Sequence, residues 1–365
     1  MSVSYIKISM SALHHNMKVI RSRLPAEVRI LATVKANAYG HGAVRTLQAA
    51  LEEGFCAGSV ARIEEGQELR EAGFTCPVYT LGLPLPEEME AGIEADLTMP
   101  VDDTVDLCAL DRAAEARGKT ARLMIAVDAG MNRIGIHPED TEALWGKMGR
   151  FSHIQVCGTF THMATADHKD KGAALRQLDR FDEALSHMKH DGGFAVSAAN
   201  SAGVVDIPRS WYNLARPGII LYGIQPSDVM TNRLDLRPAM SLVSHVVHVQ
   251  TLHKGEAVGY GGTFVADRDM KTATIPIGYA DGYLRAQSNK ADILIGGKRC
   301  PIVGRVCMDQ LMAAVDEHVH PGEEAVLLGR QGTEEITADE LAASAGTIPH
   351  EIMCSLKRIP RIYAE

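Results

Sequence analysis

The chain has 365 residues, 46% of them apolar and 23% charged, with a net charge of −9. That length fits one large domain beside a smaller one and buries enough surface to fold without disulfide staples. An acidic balance with no Lys/Arg cluster argues against a nucleic-acid partner, and no apolar run approaches the length of a membrane span.

The opening stretch, MSVSYIKISM, lacks the apolar core of a secretory signal. Seven cysteines (Cys56, Cys76, Cys108, Cys157, Cys300, Cys307 and Cys354) are scattered without a C-x-x-C pair. This is the usage of reduced thiols, so the expected location is cytoplasmic. From residue 28 onward, short apolar runs alternate with amphipathic helical patterns. RILATV precedes AVRTLQAALEEG, FCAGSV precedes ARIEEGQELREAG, and CPVYTLG precedes PEEMEAGIEA. ADLTMPV then leads to DTVDLCALDRAAEARG, ARLMIAVD to TEALWGKM, and IQVCGTFTH to KGAALRQLDRFDEALSHM; FAVSAAN and YNLARPGIILYG follow. Buried strands alternating with helices mean parallel β/α units. About eight of them over some 200 residues predict an α/β fold with an N-terminal (β/α)8 TIM-type barrel. A doubly wound sheet is the competitor, but GHGAVR places Arg45 where the third glycine of a dinucleotide fingerprint belongs. Beyond residue 225, segments such as TATIPIG, ADILIGG and AVLLG, separated by glycine turns, predict a mainly β C-terminal domain. The expected domains are therefore 1–225 and 226–365, with the first ten or so residues pairing with the second.

In such a barrel the chemistry stands at the C-terminal ends of strands. Lys35 follows ILATV; Asp128 and the loop to Arg133, His162, Asn200 with Ser201, and Arg216 occupy the corresponding ends of later strands. A lysine in a partly desolvated pocket is driven toward the neutral amine, which can form a Schiff base with an aldehyde. That points to pyridoxal 5'-phosphate (PLP). RPGIILYG offers a phosphate cup at the amides of Gly218 and Ile219, with the Ser201 hydroxyl beside it, and Arg216 to face the ring nitrogen. His245, His248 and His253 fall on both faces of an alternating strand, which argues against a shared metal. Asp281, in GYADGY, reads as a turn residue.

The segments VKANAYGHG, GMNRIG, THMATAD, ANSAG, RPGIILYG, VGYGGTF, IPIGYADGY and GRVCMDQ occur in that order. With them the chain resembles the alanine racemases, a PLP-dependent barrel family, along essentially its whole length. The resemblance implies that Lys35 carries PLP, that Tyr39 helps to bind the phosphate, and that Asn200, Ser201, Gly218 and Ile219 complete the cofactor site. It places Arg216 on the pyridine nitrogen and Arg133 on the substrate carboxylate. It also makes Tyr260 the second catalytic base, linked through His162 to Arg216 in a cationic network that lowers the tyrosine pKa. Members of the family are head-to-tail homodimers in which this tyrosine and the segment of Met308 and Asp309 reach the partner's barrel; Tyr279 matches a residue of the substrate entrance. The implied function is interconversion of L- and D-alanine by two bases, Lys35 and Tyr260.

Two positions depart from the family pattern. Ala126 stands where a lysine often steadies the arginine of GMNRIG, so Arg133 is expected to be steadied by a small anion or another side chain. His350, in TIPHEIM, stands where a tyrosine usually lies beside the phosphate. A shorter ring there is expected to widen the entrance and let serine or another small amino acid compete. A PLP barrel decarboxylase is disfavoured by Arg216, since an acidic group normally faces the ring nitrogen in those enzymes. A non-catalytic PLP carrier is disfavoured by the β domain with its tyrosine.

Overall fold

A computed structural model describes residues 2–189 and 192–365. The chain divides into two compact units. One comprises Leu13–Ala38 and Gly42–Arg237; the other comprises the chain up to Ala12, Tyr39–His41 and Pro238–Glu365.

The first strand, β1 (Tyr5–Ser9), belongs to the second unit. The next eight build the first: β2 (Arg29–Thr33), β3 (Ala57–Val60), β4 (Val78–Thr80), β5 (Thr98–Val101), β6 (Ala121–Ala126), β7 (Ile154–Phe160), β8 (Ala195–Ser197) and β9 (Leu214–Ala215). All are parallel, and each from β3 to β8 pairs with its predecessor while β9 pairs with β2, so the order is that of the expected barrel. Helices such as Ala43–Glu52, Ile63–Glu71 and Gly172–Ser186 follow the strands and cover them. Side chains at alternate strand positions point inward. Leu31, Ala57, Tyr79, Met124, Ala126, Phe160, Ala195 and Leu214 make one packed interior cluster, so the barrel is filled and its chemistry is confined to its ends.

The barrel closes between β8 and β9 by side chains rather than by a ladder of backbone bonds. Asn213 accepts from the Val196 amide at 2.8 Å and donates to the Phe194 carbonyl at 2.8 Å. Ser197 Oγ donates to the Leu214 carbonyl at 2.6 Å, and the Arg216 amide donates to the Ala199 carbonyl at 2.9 Å. A second fastener is Asp206, whose side chain is fully buried and lies 2.9 Å from Lys171 Nζ. It also accepts from the amides of Thr231 and Asn232 and from Asn232 Nδ2.

The second unit is mainly β. Its largest sheet runs Lys298–Pro301, Asp292–Ile295, Glu324–Gln331, Met240–His245, β1 and Arg361–Ala364, with Glu334–Ile336 paired on Glu324–Gln331. β1 is antiparallel to Met240–His245 and parallel to Arg361–Ala364, so the beginning and the end of the chain share one sheet. A three-stranded sheet joins His248–Leu252, Met270–Ile275 and Leu311–Val315. Helices Ala338–Ala345 and Pro349–Ser355 follow.

Candidate active site

Lys35 stands two residues beyond β2, at the head of a turn that winds the wrong way. Ala36, Asn37 and Ala38 have φ/ψ near +53°/+49°, and Tyr39 continues at φ +51°. Left-handed helical backbone costs L-residues roughly 1–2 kcal/mol each, so the surrounding structure must hold the turn. It does so by hydrogen bonds. The Ala38 amide donates to the Val34 carbonyl at 2.7 Å, and the Val34 amide to Ser59 at 2.8 Å. At the far end the Gly42 amide donates to the Asn37 carbonyl, and Asn37 Oδ1 accepts from the Ala43 amide at 2.8 Å. The Ala36 amide donates to Glu65 Oε1 at 2.6 Å.

Arg133 sits on a loop that Asp128 organises. This buried carboxylate at the end of β6 accepts from the amides of Gly130 and Asn132, both at 2.9 Å. The loop returns through Gly135, where a Cβ would lie 2.8 Å from the Asp128 amide nitrogen and where φ is +109°; glycine is required there. Arg133 is exposed, and among the described residues no side chain lies within hydrogen-bond distance of its guanidinium. Ala126, buried at the start of this loop, offers it none. Gln177, from helix Gly172–Ser186, holds the next strand end: its Oε1 accepts from the Ala164 amide and its Nε2 donates to the His162 carbonyl.

Arg216, 5% exposed, is the most enclosed cation of the site. It donates through Nη1 to Ser197 Oγ and through Nη2 to the Thr161 carbonyl at 2.7 Å, and it lies 5.4 Å from the centre of the Phe160 ring. Burial lowers its pKa to about 10, which leaves it charged at neutral pH. His162 is half-buried, and its pKa falls from 6.5 to about 3, first through burial and then through Arg216, Arg133 and Lys35. At neutral pH the charge therefore resides on the arginines and His162 is a neutral imidazole, because poor solvation and three nearby cations oppose its protonation.

Lys35, Arg133, His162 and Arg216 line one cavity of about 250 Å³, with Ala61, Leu81, Val127, Met131, Ile134 and Phe160 among its apolar walls. Among the described residues no carboxylate lines it, so the cavity is cationic and suited to an anionic ligand. Two residues beyond Arg216, the Gly218 amide donates to Ser201 Oγ at 2.8 Å, and Ile219 opens a short 3-10 helix. Asn200 caps the short helix that begins at Ser201. Its Oδ1 accepts from the Gly203 amide as a helix cap and its Nδ2 reaches the Met163 carbonyl at 3.4 Å, so its side chain positions Ser201. A primary amine, a charged buried guanidinium and an amide–hydroxyl pair together fit an aromatic aldehyde carrying a phosphate, the chemistry of PLP.

The remaining expected residues lie in the other unit. Tyr39 is buried, and its ring centre is 5.6 Å from that of His350; burial raises the Tyr39 pKa. Tyr260 is 72% exposed; Tyr279, Met308 and Asp309 are also exposed. The amides of Tyr279 and Ala280 donate to the carbonyls of Cys307 and Met308, which joins the Tyr279 turn to the Met308–Asp309 segment. Asp281 accepts from the Gly278 amide as a turn residue should. Sequence reasoning did not find Ser197, Thr161, Gln177 or Glu65. Ser197 had a signal, since it lies two residues beyond inward-facing Ala195; the Thr161 contact is through a carbonyl, which has none.

The family described as alanine racemase, N-terminal domain, matches residues 8–226, and that described as alanine racemase, C-terminal domain, matches residues 239–363. An alanine racemase from Carboxydothermus hydrogenoformans is 41% identical over 98% of this chain and 99% of its own length. One from Halothermothrix orenii is 38% identical over 99% of this chain and 96% of its own. Among solved structures, alanine racemase from Clostridium difficile superposes with a TM-score of 0.95 at 34% identity, covering all of this chain and 96% of that one. A histidine racemase from Leuconostoc mesenteroides has a TM-score of 0.92 at 30% identity, covering all of this chain and 98% of that one.

Proposed function

Because the chain belongs to the alanine racemase family, we propose that it is a PLP-dependent racemase interconverting L- and D-alanine, acting as a cytoplasmic homodimer. The observation that carries this reading is that Lys35, Arg133, His162 and buried Arg216 share one cationic cavity. PLP bound there supplies an electron-accepting ring that acidifies the substrate's α-carbon. Lys35 would hold the cofactor, and Ser201 with the amides of Gly218 and Ile219 would take its phosphate.

The chain's own groups then do the rest. Racemisation needs one base on each face of the α-carbon. Lys35 Nζ serves the face that carries the proton of the D enantiomer, and the partner's Tyr260 serves the other. Arg133, exposed and unengaged by any carboxylate, takes the substrate carboxylate in the bidentate geometry that guanidinium favours. Arg216 keeps its proton at neutral pH, so beside the ring nitrogen of bound PLP it would leave that nitrogen unprotonated and the ring's electron withdrawal modest. Reprotonation then outruns side reactions. His162, neutral, has one donor and one acceptor to pass between Arg216 and the partner's tyrosine.

A chiral product assay on PLP-loaded protein, with L-alanine and L-serine side by side, tests the reading. D-alanine as the main product, lost in Lys35→Ala, is expected. Comparable D-serine would shift the assignment to a broader small-amino-acid racemase, the reading favoured by His350 against Tyr39. Absence of both products would overturn racemisation altogether.

A further inference from the structure

Glu65 is the third residue of helix Ile63–Glu71, and one of its oxygens does what such a residue commonly does. Its Oε2 reaches back to the amides of Ala61 and Arg62 at 2.7 and 3.2 Å and caps the helix. Its other oxygen is turned elsewhere. Oε1 crosses from the end of β3 to the end of β2 and accepts from the Ala36 amide at 2.6 Å.

That amide belongs to the peptide that leaves Lys35. Its plane sets ψ at Lys35, and it opens the left-handed turn, where the backbone has no intrinsic preference to stay. On the other side of Lys35, Val34 is already fixed through Ser59 and Ala38. The same carboxylate also orders Ala61, a wall of the Lys35 cavity. From this geometry we propose that Glu65 is a positioning residue for Lys35. As an anion accepting on both oxygens, it locks the strained turn so that the lysine amine is aimed into the cavity. This rests on the reading of Lys35 as the cofactor's lysine.

The test uses PLP-loaded wild type, Glu65→Gln and the neighbouring exposed control Glu64→Gln. A glutamine keeps the shape but can accept on one side only, so either the cap or the turn loses its bond. Three quantities are read: thermal midpoint, the rate at which hydroxylamine strips PLP from the protein, and kcat and KM for alanine. Glu65→Gln is expected to release PLP about tenfold faster and to lose about tenfold to hundredfold in kcat, with KM within about threefold, as misplacement of a reacting group by a fraction of an ångström would produce. Glu64→Gln should match wild type. A lowered midpoint with unchanged release rate and unchanged kcat would show a helix cap and nothing more, which overturns the proposal. If Glu65→Gln does not fold, Glu65→Asp carries the same measurements; it keeps the charge but is one methylene too short to reach both strand ends, and wild-type release and kcat in it would overturn the proposal equally. Borohydride reduction and peptide mapping of wild type separate the two readings: label elsewhere than Lys35 overturns the assignment of the lysine, and Glu65 with it.

Discussion

His162 carries no proton at neutral pH, and this can be measured directly. In protein without PLP, its ring resonances should not titrate between pH 5 and 8, whereas an ordinary histidine passes its midpoint near 6.5. The sign for stability follows. The folded pKa lies below the unfolded one, so the unfolded chain binds the extra proton. Stability is complete above pH 6.5 and declines as the pH falls toward 3. Denaturant melts of His162→Gln should show a shallower decline over that window. At this scale the sequence was informative where a strand end fixes a position: Lys35, Arg133, His162 and Arg216 do share one cavity. It was silent about the charge on His162, because that depends first on how deeply the fold buries the ring and then on its distances to three cations from separate strand ends.

The turn after Lys35 shows what a local pattern cannot say about an element. KANAY contains good right-handed helix formers, yet Ala36, Asn37, Ala38 and Tyr39 have positive φ. The hand is imposed by Val34, Glu65 and the start of helix Ala43–Glu52. Replacing exposed Ala36 with glycine removes about 1–2 kcal/mol of left-handed strain and returns about 0.5–1 kcal/mol through a freer unfolded chain. Urea melts should therefore show Ala36→Gly as stable as wild type or slightly more so, the reverse of alanine-to-glycine changes in ordinary helices. Asp206 binds loops together in the opposite manner, by charge. Burial pushes its carboxyl up, but Lys171 and the donors of Thr231 and Asn232 together prevail and bring it below the ordinary 3.8. Its contribution is present above that value and lost as the pH falls through the folded pKa. Asp206→Asn should lower stability by about 2–3 kcal/mol, the scale of hydrogen bonds to a charged group, with the deficit shrinking in acid.

At the scale of the whole molecule, the alternation of short apolar runs with helical patterns was enough to count eight parallel strands. Repetition averages out errors at each boundary. Pairing of β1 with Met240–His245 and with the end of the chain joins segments hundreds of residues apart, which no local pattern encodes. The proposed homodimer with shared sites makes a quantitative prediction. Lys35→Ala and Tyr260→Phe are each expected to be nearly inactive. After mixing and subunit exchange, half the dimers are mixed and each holds one intact site, so about a quarter of wild-type activity should return. No recovery would confine each site to one chain.

The closure between β8 and β9 has a consequence in time rather than in energy. Every other junction of the barrel is a backbone ladder, whereas this one depends on Asn213, Ser197 and Arg216. Side-chain fastenings open by rotation about single bonds, so transient parting of the barrel should start here. The amides of Val196 and Arg216 should then exchange with deuterated solvent sooner than those inside the ladders of β5, β6 and β7. Because Arg216 is both a fastening and a floor of the cavity, a ligand that engages it should slow that exchange.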